Sequence, residues 1–263
     1  MIDVKKDFIS DVPGYVENLE KNGLHSSCKD PDVYSKLMQE YHRELWSAQK
    51  LPNGQNMELK AGCGSYYLYW RDLRFGADSI VNMYFHHKGA QSLLNEEIKQ
   101  ALMKNFGETT DFKDFVKKYL YKTYTIGGSI IFLKNGVANS INIRRYSLLK
   151  DRFDLALECI RRYYKYKDKD ESSPMSKVLK ANASFFNLFG DFKEYVDFFF
   201  LQDLVNNDYT KINYFNSANE LEKVSYPKTE KDWLDLYKNQ MDFVEKRNER
   251  IRDFVSKMNL NCD

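Results

Sequence analysis

Residues 129–143 read Ser-Ile-Ile-Phe-Leu-Lys-Asn-Gly-Val-Ala-Asn-Ser-Ile-Asn-Ile, and how this stretch is read decides the fold. Two apolar runs flank Asn135-Gly136, a pair that tolerates the two positive φ angles of a type I′ turn. The pattern predicts an antiparallel hairpin with strands over 126–134 and 137–143. Gly127-Gly128, at the start of the first strand, marks a bulge or a close backbone approach.

On the N-terminal side of the hairpin, short β candidates fall at 57–60, 66–70 and 73–75. Asp30-Pro31 opens a helix over 30–46, with Asp30 as cap and Pro31 at the first helical position. Val33, Leu37, Tyr41 and Leu45 recur at helical spacing. Further helices are expected over 92–106, stopped by Gly107, and over 111–122, where Asp111 and Asp114 form a weak capping box. Asp78-Ser79 reads as another helix cap. On the C-terminal side, helices are expected over 151–165, 173–190, 191–205 and 229–258. Asp191 and Glu194 sit at capping-box spacing. The charged stretch 165–173 reads as a loop and not a boundary, because the helices on either side both need partners. The expected architecture is α+β in a single domain, 1–263. A small antiparallel sheet with the hairpin lies in a mixed helix/strand part (1–145), and a mainly helical part (146–263) packs over it.

Composition sets outer limits. With 263 residues, 43% hydrophobic and 15% aromatic, the chain can bury a real core, which excludes wholesale disorder. Its 40 Lys+Arg against 38 Asp+Glu leave +2, which excludes a polycation of the histone kind. The aromatics serve either as stacking surfaces for bases or as core, and core is the commoner use. Cys28, Cys63, Cys159 and Cys262 form no CxxC pair and no metal-type spacing with histidine. The N-terminal residues are charged and lack an apolar signal-peptide segment, and the most apolar run, 195–205, is too short and polar to span a bilayer. These features predict a cytoplasmic protein with reduced thiols and no membrane association.

The densest candidate for chemistry is 139–162. The second hairpin strand is expected to deliver Asn142, Arg144 and Arg145 to a short loop. A helix beginning at Asp151-Arg152 then presents Asp154, Glu158, Arg161 and Arg162. Strand end, loop and helix N-terminus together suit an anion, and arginine binds phosphate bidentately. The sharp expectation is a phosphate-bearing small molecule such as a nucleotide. Arg144, Arg145 and Arg152 would hold the anion, Asn142 would orient it, and Asp154 or Glu158 would act as general base. The competing reading is structural: Asp151 caps the helix, Arg152 pairs with a carboxylate, and Glu158 pairs with Arg162 on the surface. No P-loop or GxGxxG is present, and the sequence points to no particular cofactor.

Three other features carry weaker signals. Asp197 and Asp203 lie in an almost wholly apolar helix, so Asp197 is either a raised-pKa acid or base or the partner of an arginine. His86-His87 would point to opposite faces of a strand; a solvent-facing loop accounts for them, and no metal site is expected. Basic segments mix with acids throughout and make no continuous nucleic-acid stripe. The rival to a ligand-binding protein is a non-catalytic interaction module. It would use the final helix, with Trp233, Tyr237, Val244, Ile251 and Met258 on an apolar seam. Oligomeric state is not set by these patterns.

The runs DRFDLALECIRRYY (151–164) and DFKEYVDFFFLQDLV (191–205) resemble an uncharacterised bacterial family, a domain of unknown function. YHRELWSAQKLPNG (41–54), GADSI (76–80), TIGGSIIF (125–132), NSIN (139–142) and FVEKRNERI (243–251) extend the resemblance along most of the chain. The resemblance implies a bacterial or phage protein in a cytoplasmic setting, and it implies no mechanism; a role in phage defence would be an extension of the phosphate-ligand reading. Relatives of this kind often read Ser-Ser-Asp where this chain has Gly76-Ala77-Asp78, and Arg-Gly near Arg144-Arg145. The missing hydroxyl and glycine bear on any ligand contact shared with that family.

Overall fold

In the computed structural model, which describes residues 2–22, 29–61, 67–106, 109, 111–135, 139–167 and 169–260, the sheet is a five-stranded antiparallel meander. Its strands lie in chain order: β1 (Lys60–Ala61), β2 (Leu68–Trp70), β3 (Leu73–Ser79), β4 (Ser129–Asn135) and β5 (Asn139–Ser140). β3 and β4 form its spine, in register from Phe75 opposite Leu133 to Ser79 opposite Ser129. Ile130, Ile131, Phe132 and Leu133 are all buried, so β4 is covered on both faces, as its unbroken apolar run requires.

The hairpin holds in its first arm and not in its second. β4 begins at Ser129, because residues 126–128 form a 3-10 turn. The second arm pairs only through Asn139 and Ser140, opposite Asn135 and Lys134. Ser140 then accepts a hydrogen bond from the Ile143 amide and starts helix α7 (Ile141–Leu149). The expected strand over 137–143 is therefore corrected, and Asn142, Arg144 and Arg145 sit on a helix. Its buried stripe is Ile141, Arg145 and Leu149, four residues apart. The arginine in the middle disguised the helical period and left only the local alternation visible. The turn residues 136–138 lie outside the described residues.

The helices preceding α7 are α1 (Tyr15–Asn22), α2 (Pro31–Tyr34), α3 (Lys36–Ala48), α4 (Lys88–Gln91), α5 (Glu96–Asn105) and α6 (Phe112–Thr123). After it come α8 (Phe153–Tyr166), α9 (Ser176–Ala181), α10 (Ala183–Phe186), α11 (Phe192–Phe198) and α12 (Glu230–Leu260). The expected helix over 30–46 breaks at Ser35, which is extended and caps α3 by accepting from the Met38 amide. Asp30 caps α2, Asp111 caps α6 and Asp191 caps α11, as their sequence positions imply. α11 stops seven residues short of the expected 205, with Phe200 in the left-handed region at φ 55°. Asp78 and Ser79 end β3 instead of capping a helix.

One cluster of buried apolar side chains runs from Ile2 to Ile251, and most of the described aromatics belong to it, with Tyr34, Tyr121, Tyr146 and Tyr166 exposed. Trp46 packs on Phe199 at 5.1 Å between ring centres, and Phe199 on Tyr195 at 4.9 Å. The seam of α12 faces inward: Trp233, Tyr237, Val244 and Ile251 are buried against the body of the protein. Arg247, fully buried on the same face, donates to the carbonyls of Phe199, Ile126, Gly127 and Ser129 at 2.7–3.0 Å. Burial lowers its pKa to about 9. His42 on α3 lies nearby, pushed down to about 3 by burial and then by the Arg247 charge. Its Nδ1 accepts from the Trp46 indole, so Nε2 carries the proton and donates to Ser129 Oγ at 2.9 Å. Among the described residues, no helix is long and apolar enough to cross a membrane.

Candidate functional site

The sequence places carboxylates at several element ends, and the fold brings those ends together. Asp30 and Asp32 flank the first residue of α2. Asp78 closes β3. Asp151 lies in the three-residue link between α7 and α8. All four line a cleft of about 380 Å³, with Ser79, Met83, His87, Tyr124, Asn142 and Tyr146 among its other walls. The Ser79 amide is shared between Asp32 Oδ2 and Asp78 Oδ1, each at 3.1 Å, which ties α2 to the end of the sheet.

Arg145 reaches this cluster from α7. Only 1% of its surface is exposed. Its Nη2 lies 2.8 Å from Asp78 Oδ2 and 2.9 Å from Asp151 Oδ1, and it donates to the Ser79 carbonyl at 2.9 Å. One guanidinium thus serves two carboxylates, while the Asp32 Oδ1 atom is buried with no hydrogen-bond donor among the described residues. Burial raises the pKa of every member. For Asp32 the charges of Asp30 and Asp78 push the same way, and its carboxyl is held well above the usual range. Asp30 and Asp78 are raised as well, Asp78 in spite of Arg145. Asp151 rises to about 7, through burial, against the opposing pull of Arg145. Lys134 adds positive charge from β4, and its chain passes over Gly76: a Cβ there would sit 2.6 Å from Lys134 Cδ. Gly76 therefore makes room for a cation beside the carboxylates.

The backbone that presents Asp151 is strained. Lys150 and Asp151 are both left-handed, at φ 50° and 62°, a conformation L residues adopt at a cost. Buried side chains hold them there. Asn82 Nδ2 donates to the Asp151 carbonyl at 2.6 Å, and the Tyr84 hydroxyl donates to the Lys150 carbonyl. Asn82 is itself fixed by Gln240 of α12, whose amide donates to Asn82 Oδ1 and accepts from the Tyr119 hydroxyl, each at 2.6 Å. A polar chain through the core thus connects the longest helix to the strained link.

The residues expected from the sequence divide among three places. Asn142 lines the carboxylate cleft, and Arg145 organises it from beneath. Arg144 lies on the other flank of α7 and lines a larger groove. Arg152 and Asp154 are in the interior: both are fully buried and joined by two hydrogen bonds of 2.7 and 2.5 Å. Arg152 also donates to Asn216 and the Ala218 carbonyl, and Asp154 accepts from the Phe215 amide, so the pair pins the 215–218 loop to the start of α8. Glu158 pairs with Arg161 at 2.8 Å, and Arg162 pairs with Asp170 instead of Glu158. Asp151 is not a cap, and Asp197 is not buried: it is partly exposed and bonded to Lys193, Gln202 and Tyr209. His87 is buried, not solvent-facing; its ring packs at a tilt on Tyr146 at 5.0 Å between centres and bonds the Tyr226 hydroxyl at 2.9 Å.

Asp30, Asp32 and Asp151 were missed as site residues because a carboxylate at an element end is explained by capping. The available signal was their recurrence: the start of α2 carries two, and the end of β3 and the α7–α8 link carry one each. Among the described residues, no group of three or more His, Cys, Asp or Glu side chains is arranged to hold a metal ion. No curated protein and no solved structure matches the chain. The model of a family described as a family of unknown function, DUF6994, matches residues 2–251, nearly the whole of the chain, which therefore belongs to that family.

Proposed function

We propose that the Asp30–Asp32–Asp78–Asp151 cleft is the reaction centre of an enzyme that works by carboxyl–carboxylate acid–base chemistry on a small polar molecule. The observation that carries this reading is Asp151, raised to about 7 beside Asp78, with both carboxylates on the same Arg145 nitrogen. A group with a pKa near neutrality both gives and takes a proton efficiently, and a neighbouring carboxylate under different electrostatic control is its natural partner. Arg145 here serves the carboxylates and not a substrate phosphate. Asn142, Tyr124 and Tyr146 supply hydrogen-bonding and stacking groups on the walls. Carboxyl-carbon NMR titration tests the premise: one aspartate titrates near pH 7 and disappears in Asp151→Asn. If all aspartates titrate below pH 5, the reading fails. A thermal-shift screen of small polar metabolites tests the activity, since a ligand stabilises by mass action. A hit must shift the wild type and lose its effect in Asp78→Asn.

A second reading has its own observation. The groove on the opposite flank of α7 is lined by Arg144, Lys177 and Lys180 against a single carboxylate, Glu171. This supports the phosphate-bearing ligand expected from the sequence, placed on Arg144 and apart from Arg145 and Arg152. Stabilisation by inorganic pyrophosphate that is lost in Arg144→Gln is the expected result; no stabilisation, or an equal effect in the variant, removes this reading.

A further inference from the structure

The flanks of α7 are chemically distinct, and helical geometry explains why. At about 100° per residue, the buried stripe Ile141, Arg145, Leu149 has Asn142 and Tyr146 on one side and Arg144 and Leu148 on the other. The first side faces the carboxylate cleft, and the second faces a groove of about 950 Å³. The far wall of that groove is the segment leading into α9. Its approach is fixed by Arg162, which bonds both Asp170 and Ser172, and by Asn182, which donates to the carbonyls of Asn139 and Val178.

The groove has two kinds of surface. Arg144, Lys177 and Lys180 supply positive charge, while Leu148, Pro174 and Val178 supply an apolar patch in the same space. Leu148 is 42% exposed on this flank and shares the groove with the apolar surfaces of Pro174 and Val178. The volume is at the upper end for a small-molecule site and far exceeds what a bare phosphate fills. We infer that the groove takes a phosphate ester with an apolar or planar body, its phosphates against Arg144, Lys177 and Lys180 and its body over Leu148, Pro174 and Val178. This rests on the second reading above, that the groove is a phosphate site, and adds what the phosphate is attached to. A nucleoside diphosphate and a prenyl diphosphate share this chemistry.

Calorimetric titration of the whole chain with inorganic pyrophosphate, ADP and farnesyl diphosphate tests the inference. At least one of the two esters is expected to bind ten-fold or more tightly than pyrophosphate, and which one does so identifies the body. Arg144→Gln is expected to weaken all binding at least ten-fold. Leu148→Ser, on an exposed position that leaves the fold intact, is expected to erase the preference for the ester and leave pyrophosphate unchanged. If pyrophosphate binds as well as both esters, or Leu148→Ser leaves the preference intact, the amphiphilic ligand is overturned while the phosphate site stands. If no probe binds, or Arg144→Gln changes nothing in a variant that melts like the wild type, the phosphate site falls and the inference with it.

Discussion

Asp151 in the folded chain keeps its proton to about pH 7, whereas an unfolded aspartate loses it near 4. The folded state therefore binds more protons between roughly pH 4 and 7, and stability falls as pH rises through that window. Asp30, Asp32 and Asp78, also raised, act in the same direction. Asp151→Asn is the suitable probe, because asparagine tolerates the left-handed backbone at this position. Chemical denaturation at a series of pH values should show a shallower decline in the variant, by on the order of 1–3 kcal/mol across the window; an unchanged slope would place the proton elsewhere. Arg152 offers the contrast. It saturates Asp154 in the interior, so Arg152→Ala should cost about 3–5 kcal/mol by stranding a buried carboxylate, measured by urea denaturation. At this scale the sequence showed that arginines and aspartates cluster near 144–154. It did not show which faced a cavity and which faced each other, since that depends on the strained link at Lys150–Asp151.

Elements were most legible where a cap and a period agreed. α6, α11 and α12 begin where Asp111, Asp191 and the residues after Thr229 imply. They were least legible where a charged side chain occupies a core position, as Arg145 does in α7. The turn before β4 shows what the Gly127-Gly128 signal meant. A Cβ on Gly128 would lie 1.7 Å from the Thr123 carbonyl oxygen, so the close approach is to the end of α6. Gly128→Ala should therefore lower the melting temperature by well over the few degrees typical of a surface change, about 2–4 °C per kcal/mol for a chain of this size. Asn82→Ala tests the clamp on the α7–α8 link. It leaves the Gln240 amide and the Asp151 carbonyl without partners, for a cost of about 1–3 kcal/mol. It should also return the Asp151 carboxyl toward ordinary values in the same NMR titration. A destabilised variant with an unmoved carboxyl would make Asn82 purely structural.

For the whole molecule, the α+β class and the antiparallel sheet in the N-terminal half were readable from the hairpin arm and the run of helical patterns. The role of α12 was not. An amphipathic helix of 31 residues reads equally as an interaction surface or as core, and only the burial of Trp233, Tyr237, Val244, Arg247 and Ile251 against the 126–128 turn and helices α5 and α6 decides for core. A chain ending before Thr229 should lose cooperative unfolding by circular dichroism and sediment as an expanded or aggregated species; a compact, cooperatively melting fragment would return α12 to the list of interaction surfaces. Arg247 extends the point into time. The ribosome makes β4 and the turn before it more than a hundred residues ahead of the one side chain that answers three of their carbonyls. Until α12 emerges, this end of β4 lacks that donor, and the turn before it cannot be buried dry. Burial of this turn thus waits for α12, and a stalled nascent chain that lacks α12 is a natural client for chaperones.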